Sequence, residues 1–514
     1  MNGFDPTPEQ QNILAYEPGH HARVLAGPGT GKSATLVALI ERLLEGVPSP
    51  RVRLLTFTRA ATGELAKKVA EHPAAAAERP STIHSFAISV LLRNSGAGGF
   101  PEPLRIADPW EYGTLIRPTL AARVGVGVRE LDRLVREMAA AWESLEPEED
   151  PRVDALTRAR FLGAWDEHRR IYGYTLLAEL PYALRQALID HPDLAGTDYN
   201  LLVVDEYQDL NACDLAVLHL LADRGSSLVG AGDDDQSIYS FRRAAPEGIR
   251  RFPEDYVGAD DFTLSISQRC GSSILEWATF VIEGDPDRPP RPRLEPSEDA
   301  PAGEVALLAF DDQVAEARGV ATLIEKLIEE GEVPPEKILV LFRSDYNKHF
   351  SRLIEQELDR LGIESSDPEI VGRMLAERGN RWLLAAFRLL VHREDSLAWA
   401  TLLHLTSGIG NSFIDYVYDR AREARTQFGP ALLAARAEEF DGAPAAPANL
   451  ARDLIDSMTE WLDRIDVPRT DEDNDWGAWI VLTAGDEIVV KGRRKVRQFR
   501  AWKSAPPDLF DGGG

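Results

Sequence analysis

Val24-Leu25-Ala26-Gly27-Pro28-Gly29-Thr30-Gly31-Lys32-Ser33 is the stretch on which the reading of this 514-residue chain turns. A short apolar run feeds a glycine-rich turn, and the turn ends in Lys-Ser just where a helical pattern begins. A strand ending at Ala26 and a helix starting near Ser33 would leave the bare backbone N–H groups of Gly27, Pro28's neighbours, Gly29, Thr30 and Gly31 around a phosphate, with a helix dipole aimed at it. Lys32 would reach the β- and γ-phosphates and the Ser33 hydroxyl would hold magnesium. Ala26 stands where the usual pattern has its first glycine, a small-for-small exchange that keeps the turn tight. The stretch therefore predicts a site for a nucleoside triphosphate with Mg2+.

Working outward, further strand-like runs lead into helical patterns at Leu54 to Thr58, Leu201 to Asp205 and Leu228 to Gly232. Such alternation predicts a parallel sheet covered by helices on both faces. From His84 to Leu201 the pattern is almost wholly helical, with Leu131, Leu134, Val135 and Met138 at helical spacing, which reads as an insertion. The run Leu201-Leu202-Val203-Val204-Asp205-Glu206-Tyr207-Gln208-Asp209 ends in adjacent carboxylates. There Asp205 would complete the magnesium shell and Glu206 would orient or deprotonate the attacking water. A third strand enters the polar turn Gly232-Asp233-Asp234-Asp235-Gln236-Ser237-Ile238-Tyr239-Ser240-Phe241-Arg242, whose three acids, glutamine, aromatics and arginine are costly to crowd together without a partner.

Composition narrows the classes. With 57 Lys and Arg against 84 Asp and Glu the net charge is −27, which argues against a surface that is basic throughout but not against a local groove lined with aromatic and basic groups. Mean hydropathy is −0.25, and no apolar run approaches the roughly 20 residues of a membrane span. The chain reads as a cytoplasmic protein. Cys213 and Cys270 are far apart and lack the spacing of a metal cluster.

The segment Gly232 to Arg242 resembles the third motif of UvrD/Rep-type DNA helicases of superfamily 1, and other pieces follow in that family's order. Thr7-Pro8-Glu9-Gln10-Gln11 resembles the Q motif, in which Gln10 would read the adenine edge. Leu55-Thr56-Phe57-Thr58-Arg59-Ala60-Ala61 resembles motif Ia, Ser81-Thr82-Ile83-His84-Ser85-Phe86 motif Ib, and Ser265-Ile266-Ser267-Gln268-Arg269-Cys270 motif IV. The resemblance implies an ATP-dependent 3′ to 5′ translocase in which Lys32, Ser33, Asp205, Glu206 and Gln236 serve hydrolysis and Arg269 contacts the γ-phosphate. Single-stranded DNA, and the junctions where it meets duplex, would lie across Phe57, Thr58, His84, Tyr239, Phe241 and Arg242. Exposed aromatics can stack on bases at about 1 to 3 kcal/mol each without reading sequence. Work on DNA would keep the protein at the nucleoid.

The implied fold is α/β, a P-loop, RecA-like motor domain with a helical insertion and a partial second RecA-like domain with its own insertion. The expected boundaries are 1–95 with 185–284 for the first motor domain and 96–184 for its insertion. A proline-rich linker at 285–303 would precede the start of the second motor domain at 304–370, with strands at Glu304–Ala309 and Ile338–Phe342. A partial helical insertion at 371–485, with a loop at 441–449, would lead to a basic tail at 486–514. Three departures from the family stand out. Ala34 replaces the arginine that commonly follows Lys-Ser, and Gln268 replaces an aromatic, so adenine selectivity would rest on Gln10. Motifs V and VI have no counterpart after Ile338, and Val490 to Lys503 is strongly basic, as a shifted or truncated reading frame, or a DNA-contacting tail, would be. A fragment that binds ATP and DNA without moving, one half of a split helicase, and an unrelated P-loop NTPase are the other readings; the Asp-Glu-Tyr-Gln-Asp strand end and the aromatic third motif disfavour the last.

Overall fold

The computed structural model describes residues 5–46, 51–57, 59–70, 80–238, 243–286, 288, 291–331, 333–345, 348–366, 370–464, 491–492 and 495–496. Six strands form one parallel sheet: β1 (Ala22–Ala26), β2 (Val52–Thr56), β3 (Ser81–Thr82), β4 (Leu201–Val204), β5 (Ser227–Gly232) and β6 (Asp260–Leu264), in the order β3-β2-β4-β5-β1-β6. The alternation within the strands divides the side chains between two cores. Leu55, Leu202, Val204 and Leu228 enter one face, while Val24, Leu54, Leu201, Val203, Val229 and Ala231 enter the other. A parallel sheet needs both faces covered, and both are.

Strand order decides what the sheet can do. β1, β5 and β4 are neighbours, so the loops leaving their C-terminal ends converge, and β1 and β4 lie only about 10 Å apart, two strand spacings. A lysine at the end of β1 can therefore reach a carboxylate at the end of β4. The acidic strand β6 adds to the free side of β1, Ala22 facing Asp260 through Ala26 facing Leu264. The sequence reading missed it because Asp-Asp-Phe-Thr-Leu alternates polar and apolar without a continuous apolar run.

Between β3 and β4 the chain is helical, and these helices share one core with the helices that follow residue 377. Phe161, Trp165, Tyr172 and Tyr174 pack in one cluster with Trp399, Phe413, Tyr418 and Phe428. Arg105 ties them together, donating to Glu111 (2.6 Å) and to Asp395 (2.7 Å), and Arg388 also pairs with the fully buried Glu111. Within this core His168 contacts Thr119 Oγ1 (2.9 Å) and the Tyr174 hydroxyl (3.1 Å); burial, with Arg123 nearby, pushes its imidazole down to about 3. The helix Ala445–Arg464 begins inside the expected loop at 441–449, because Pro447 falls in the first turn, where a missing N–H costs nothing.

The second α/β pattern differs from expectation. Residues 304–309 and 338–342 are extended in sequence character but pair with no strand among the described residues. The helices Gln313–Glu329 and Ser351–Arg360 do form and pack together through Ala317, Ala321, Ile324, Ile354 and Leu358. Ile338 and Val340 lean on this pair, while Leu339 and Leu341 point away and are 78% and 80% exposed. Most of the basic tail lies outside the described residues; within it, Lys491–Gly492 and Lys495–Val496 pair antiparallel.

Candidate nucleotide site

The loop after β1 is built as its composition requires. Gly29 and Gly31 take φ of 75° and 83°, a region costly for any residue with a side chain. Neighbours also crowd them: a Cβ on Gly31 would stand 2.6 Å from Gln10 Nε2, and one on Gly29 would stand 2.5 Å from Arg269 Cβ. Thr30 Oγ1 donates to Gly27 O at 2.9 Å, which closes the turn. The helix Lys32–Gly46 starts directly behind it, with Ser33 and Ala34 half-buried in its first turn.

Lys32, 10% exposed, lies between Asp205 Oδ1 (2.8 Å) and Glu206 Oε2 (2.6 Å). Burial pulls its ammonium down, but the two carboxylates outweigh this and hold it above its ordinary value. Ser33 Oγ donates to Asp205 Oδ2 at 3.1 Å. A buried carboxylate beside a hydroxyl, at the mouth of a loop that a Cβ would fill, suits a hydrated Mg2+ carried on phosphates; that ion uses few protein ligands and keeps several waters.

Glu206 has φ of 57°, left-handed for a residue with a full side chain. Such strain persists where the surroundings over-determine it, and three contacts do so. Its N–H donates to Asp205 Oδ1 (3.0 Å), and its carboxylate accepts from Lys32 Nζ and from Gln208 Nε2 (2.9 Å). The chain of contacts continues. Gln208 Oε1 accepts from Asp233 N–H (3.0 Å), and Gln236 Nε2 donates to Asp233 Oδ2 (2.8 Å). The ends of β1, β4 and β5 are thus joined from Lys32 to Gln236. Asp209, whose role sequence reasoning did not assign, sits in the same patch; burial and the neighbouring Glu206 charge raise its carboxyl to about 7.

Gln10 is buried against the loop. Its Oε1 accepts from Thr7 N–H (2.9 Å) and its Nε2 donates to Thr30 O (3.1 Å), leaving one lone pair and one proton for another partner. The strand residues β7 (Ile266–Ser267) press on the loop from the far side: Ser267 Oγ donates to Pro28 O (2.8 Å) and Gln268 N–H to Gly29 O (2.8 Å). This places Arg269, an exposed residue, beside Gly29. A cavity of about 350 Å³ opens between Ala26, Gly27, Pro28 and Gln236 on one side and Arg288 with residues 291–294 on the other.

Residues 6–257 match the model of the UvrD/REP helicase N-terminal domain. This stretch is a UvrD/REP helicase N-terminal domain. Curated relatives extend the likeness beyond it. The chain is 25% identical over 479 residues to DNA helicase II of Escherichia coli, covering 89% of this chain and 64% of that protein. It is 25% identical over 503 residues to ATP-dependent DNA helicase PcrA of Bacillus subtilis, covering 92% and 65%. With ATP-dependent DNA helicase UvrD1 of Mycobacterium tuberculosis it shares 29% identity over 468 residues, covering 85% and 58%. The chain thus spans between about half and two thirds of the length of the curated relatives it matches.

Of the residues expected to meet DNA, the UvrD/REP domain displays two. Phe57 lies just past β2, half-buried against the core under the sheet, and His84 is half-buried in the first turn of the helix Ile83–Arg93. Thr58, Tyr239, Phe241 and Arg242 lie outside the described residues. Among the described residues no helix is long and apolar enough to cross a membrane.

Proposed function

We propose that this chain is an ATP-driven motor that moves 3′ to 5′ along single-stranded DNA and opens duplex at junctions, in the cytoplasm at the nucleoid. The observation that carries the reading is the unbroken chain of contacts from Lys32 through Glu206, Gln208 and Asp233 to Gln236, which ties the phosphate loop to the turn expected to meet DNA. Coupling of two sites needs one element that both can bias. The named helicases among the relatives support it as well.

In this reading Gly27 to Gly31 cradle the triphosphate, Gln10 offers its remaining amide proton and lone pair to the adenine edge, and Ala34 packs beneath. Lys32 exchanges Glu206 for a phosphate oxygen, which frees the Glu206 carboxylate to orient the attacking water and take its proton. Ser33 and Asp205 would hold magnesium, which when bound offsets charge on the phosphates. Gln236 and Arg269 reach the γ-phosphate from opposite sides. Phe57, Thr58, His84, Tyr239, Phe241 and Arg242 line the path of the strand.

A second reading has a specific observation behind it: a nucleotide- and DNA-binding unit that does not move by itself, as the segments 304–309 and 338–342, unpaired among the described residues, would allow. One experiment separates them. ATP hydrolysis is measured with and without single-stranded DNA, using Lys32→Ala as the blank. The motor reading expects strong stimulation by DNA and loss of turnover in the variant, a drop on the order of 10³ or more. DNA binding with no stimulated turnover would leave the second reading.

A further inference from the structure

The stretch after Asp285 reads as a linker, yet its described residues, Arg288 and 291–296, are bolted to the nucleotide site at three points. Its end, β8 (Glu295–Pro296), pairs in parallel with β7. Leu294 lies directly over Gly27 of the phosphate loop, where an added methyl group would overlap it. Arg291 reaches all three acids of the turn after β5: its Nη1 stands 3.0 Å from Asp233 Oδ1 and donates to Asp234 Oδ1 at 2.8 Å, and its Nη2 pairs with Asp235. Arg288 adds a two-pronged contact to Asp235, at 2.9 Å from Nε and 3.0 Å from Nη2.

The crowding of these acids now has a physical reason. Three adjacent carboxylates, two of them almost fully buried, repel one another unless cations stand among them. Arg250 serves Asp234 from within the same domain (2.7 Å). Among the described residues no cation of the same domain contacts Asp233, and it is the residue that accepts from Gln236. Its Oδ1 faces Arg291 while its Oδ2 holds Gln236 Nε2. Arg291 therefore stands one carboxylate away from the glutamine, on a segment that continues into the second half of the molecule.

We infer that Arg291, supported by Arg288, is a positioning residue for Gln236: by fixing Asp233 it sets the glutamine for the γ-phosphate and passes movement of the segment after residue 285 to the nucleotide site. This deepens the motor reading and rests on it. A planar guanidinium presents several donors in a fixed fork, so one arginine can hold three carboxylates where a lysine cannot.

The test compares wild type, Arg291→Ala, Arg291→Lys, Gln236→Ala and the double variant Gln236→Ala/Arg291→Ala in steady-state ATP hydrolysis with oligo-dT, with the melting temperature of each. Arg291→Ala should lower the DNA-stimulated kcat at least tenfold while the KM for ATP stays within threefold, and Arg291→Lys should not restore it. Because Arg291 acts through Gln236, the double variant should be no slower than Gln236→Ala by more than twofold. Arg464→Ala, which loses only a surface pair with Glu460, should match wild type within twofold. An unchanged kcat in Arg291→Ala, or losses that multiply in the double variant, would overturn the inference while leaving the motor reading in place. A wild-type chain with no turnover would overturn both.

Discussion

The same sequence device occurs twice in this molecule and has two outcomes. Leu201 to Val204 is a short apolar run followed by a helix, and it lies at the centre of a six-stranded sheet with every residue buried. Ile338 to Phe342 is also a short apolar run followed by a helix, but it pairs with nothing among the described residues and turns Leu339 and Leu341 outward. The difference is not in the strand itself. A parallel strand gains stability only from the neighbours that pair with its edges and cover its faces. β4 has β2 and β5 at its edges and a core on each side. Among the described residues, 338–342 have only two helices on one side.

The largest effect this contrast predicts is in amide hydrogen exchange. The amides of β4 and β5 should open only with the whole domain, whereas those of 305–309 and 338–342 should exchange at least about a thousandfold faster, because local opening there breaks no ladder. Equal protection in the two regions would break the comparison and would mean that the second pattern finds strand partners in solution.

What could be read in advance follows the same division. The loop Gly27 to Ser33 and the acids Asp205 and Glu206 were readable because each lies at a strand end whose local pattern is complete within ten residues. Their convergence needed only the parallel-sheet rule. Gln208 was not readable as the link between Glu206 and Asp233, since nothing in a glutamine's spacing tells which backbone it will meet across strands. Nor were Arg288 and Arg291, whose partners lie more than 50 residues away, in a turn after another strand. The pattern at 304–309 and 338–342 predicts strands, yet neither segment pairs among the described residues: hydrophobic pattern reports what a segment needs and not whether it is supplied. β6 erred the other way, because its pairing with β1 does not depend on an apolar run.

A matched pair of leucines sharpens the comparison energetically. Leu202, fully buried in β4, should cost about 3 kcal/mol when changed to Ala, through lost burial and the cavity left behind. Leu341→Ala should change stability by no more than about 0.5 kcal/mol, as expected for a surface position. Urea titrations followed by circular dichroism would read both. A large loss at Leu341 would show that this face is covered in solution.

The smallest effect tests how firmly the sheet holds its site. Glu206 keeps a left-handed backbone at the end of β4, and its neighbours enforce it. Glu206→Ala and Glu206→Gly both remove the carboxylate, so both lose its contacts to Lys32 and Gln208 and both should fail in ATP turnover. They differ only in the backbone. At an ordinary position alanine is the more stable of the two by roughly 0.5 to 1 kcal/mol, but at φ of 57° the methyl group of alanine is strained and glycine is not. Glu206→Gly should therefore be the more stable variant by about 1 kcal/mol. The ordinary order, with alanine ahead, would mean that without its carboxylate the end of β4 relaxes to a negative φ, and that the carboxylate, rather than the sheet, imposes the strained conformation.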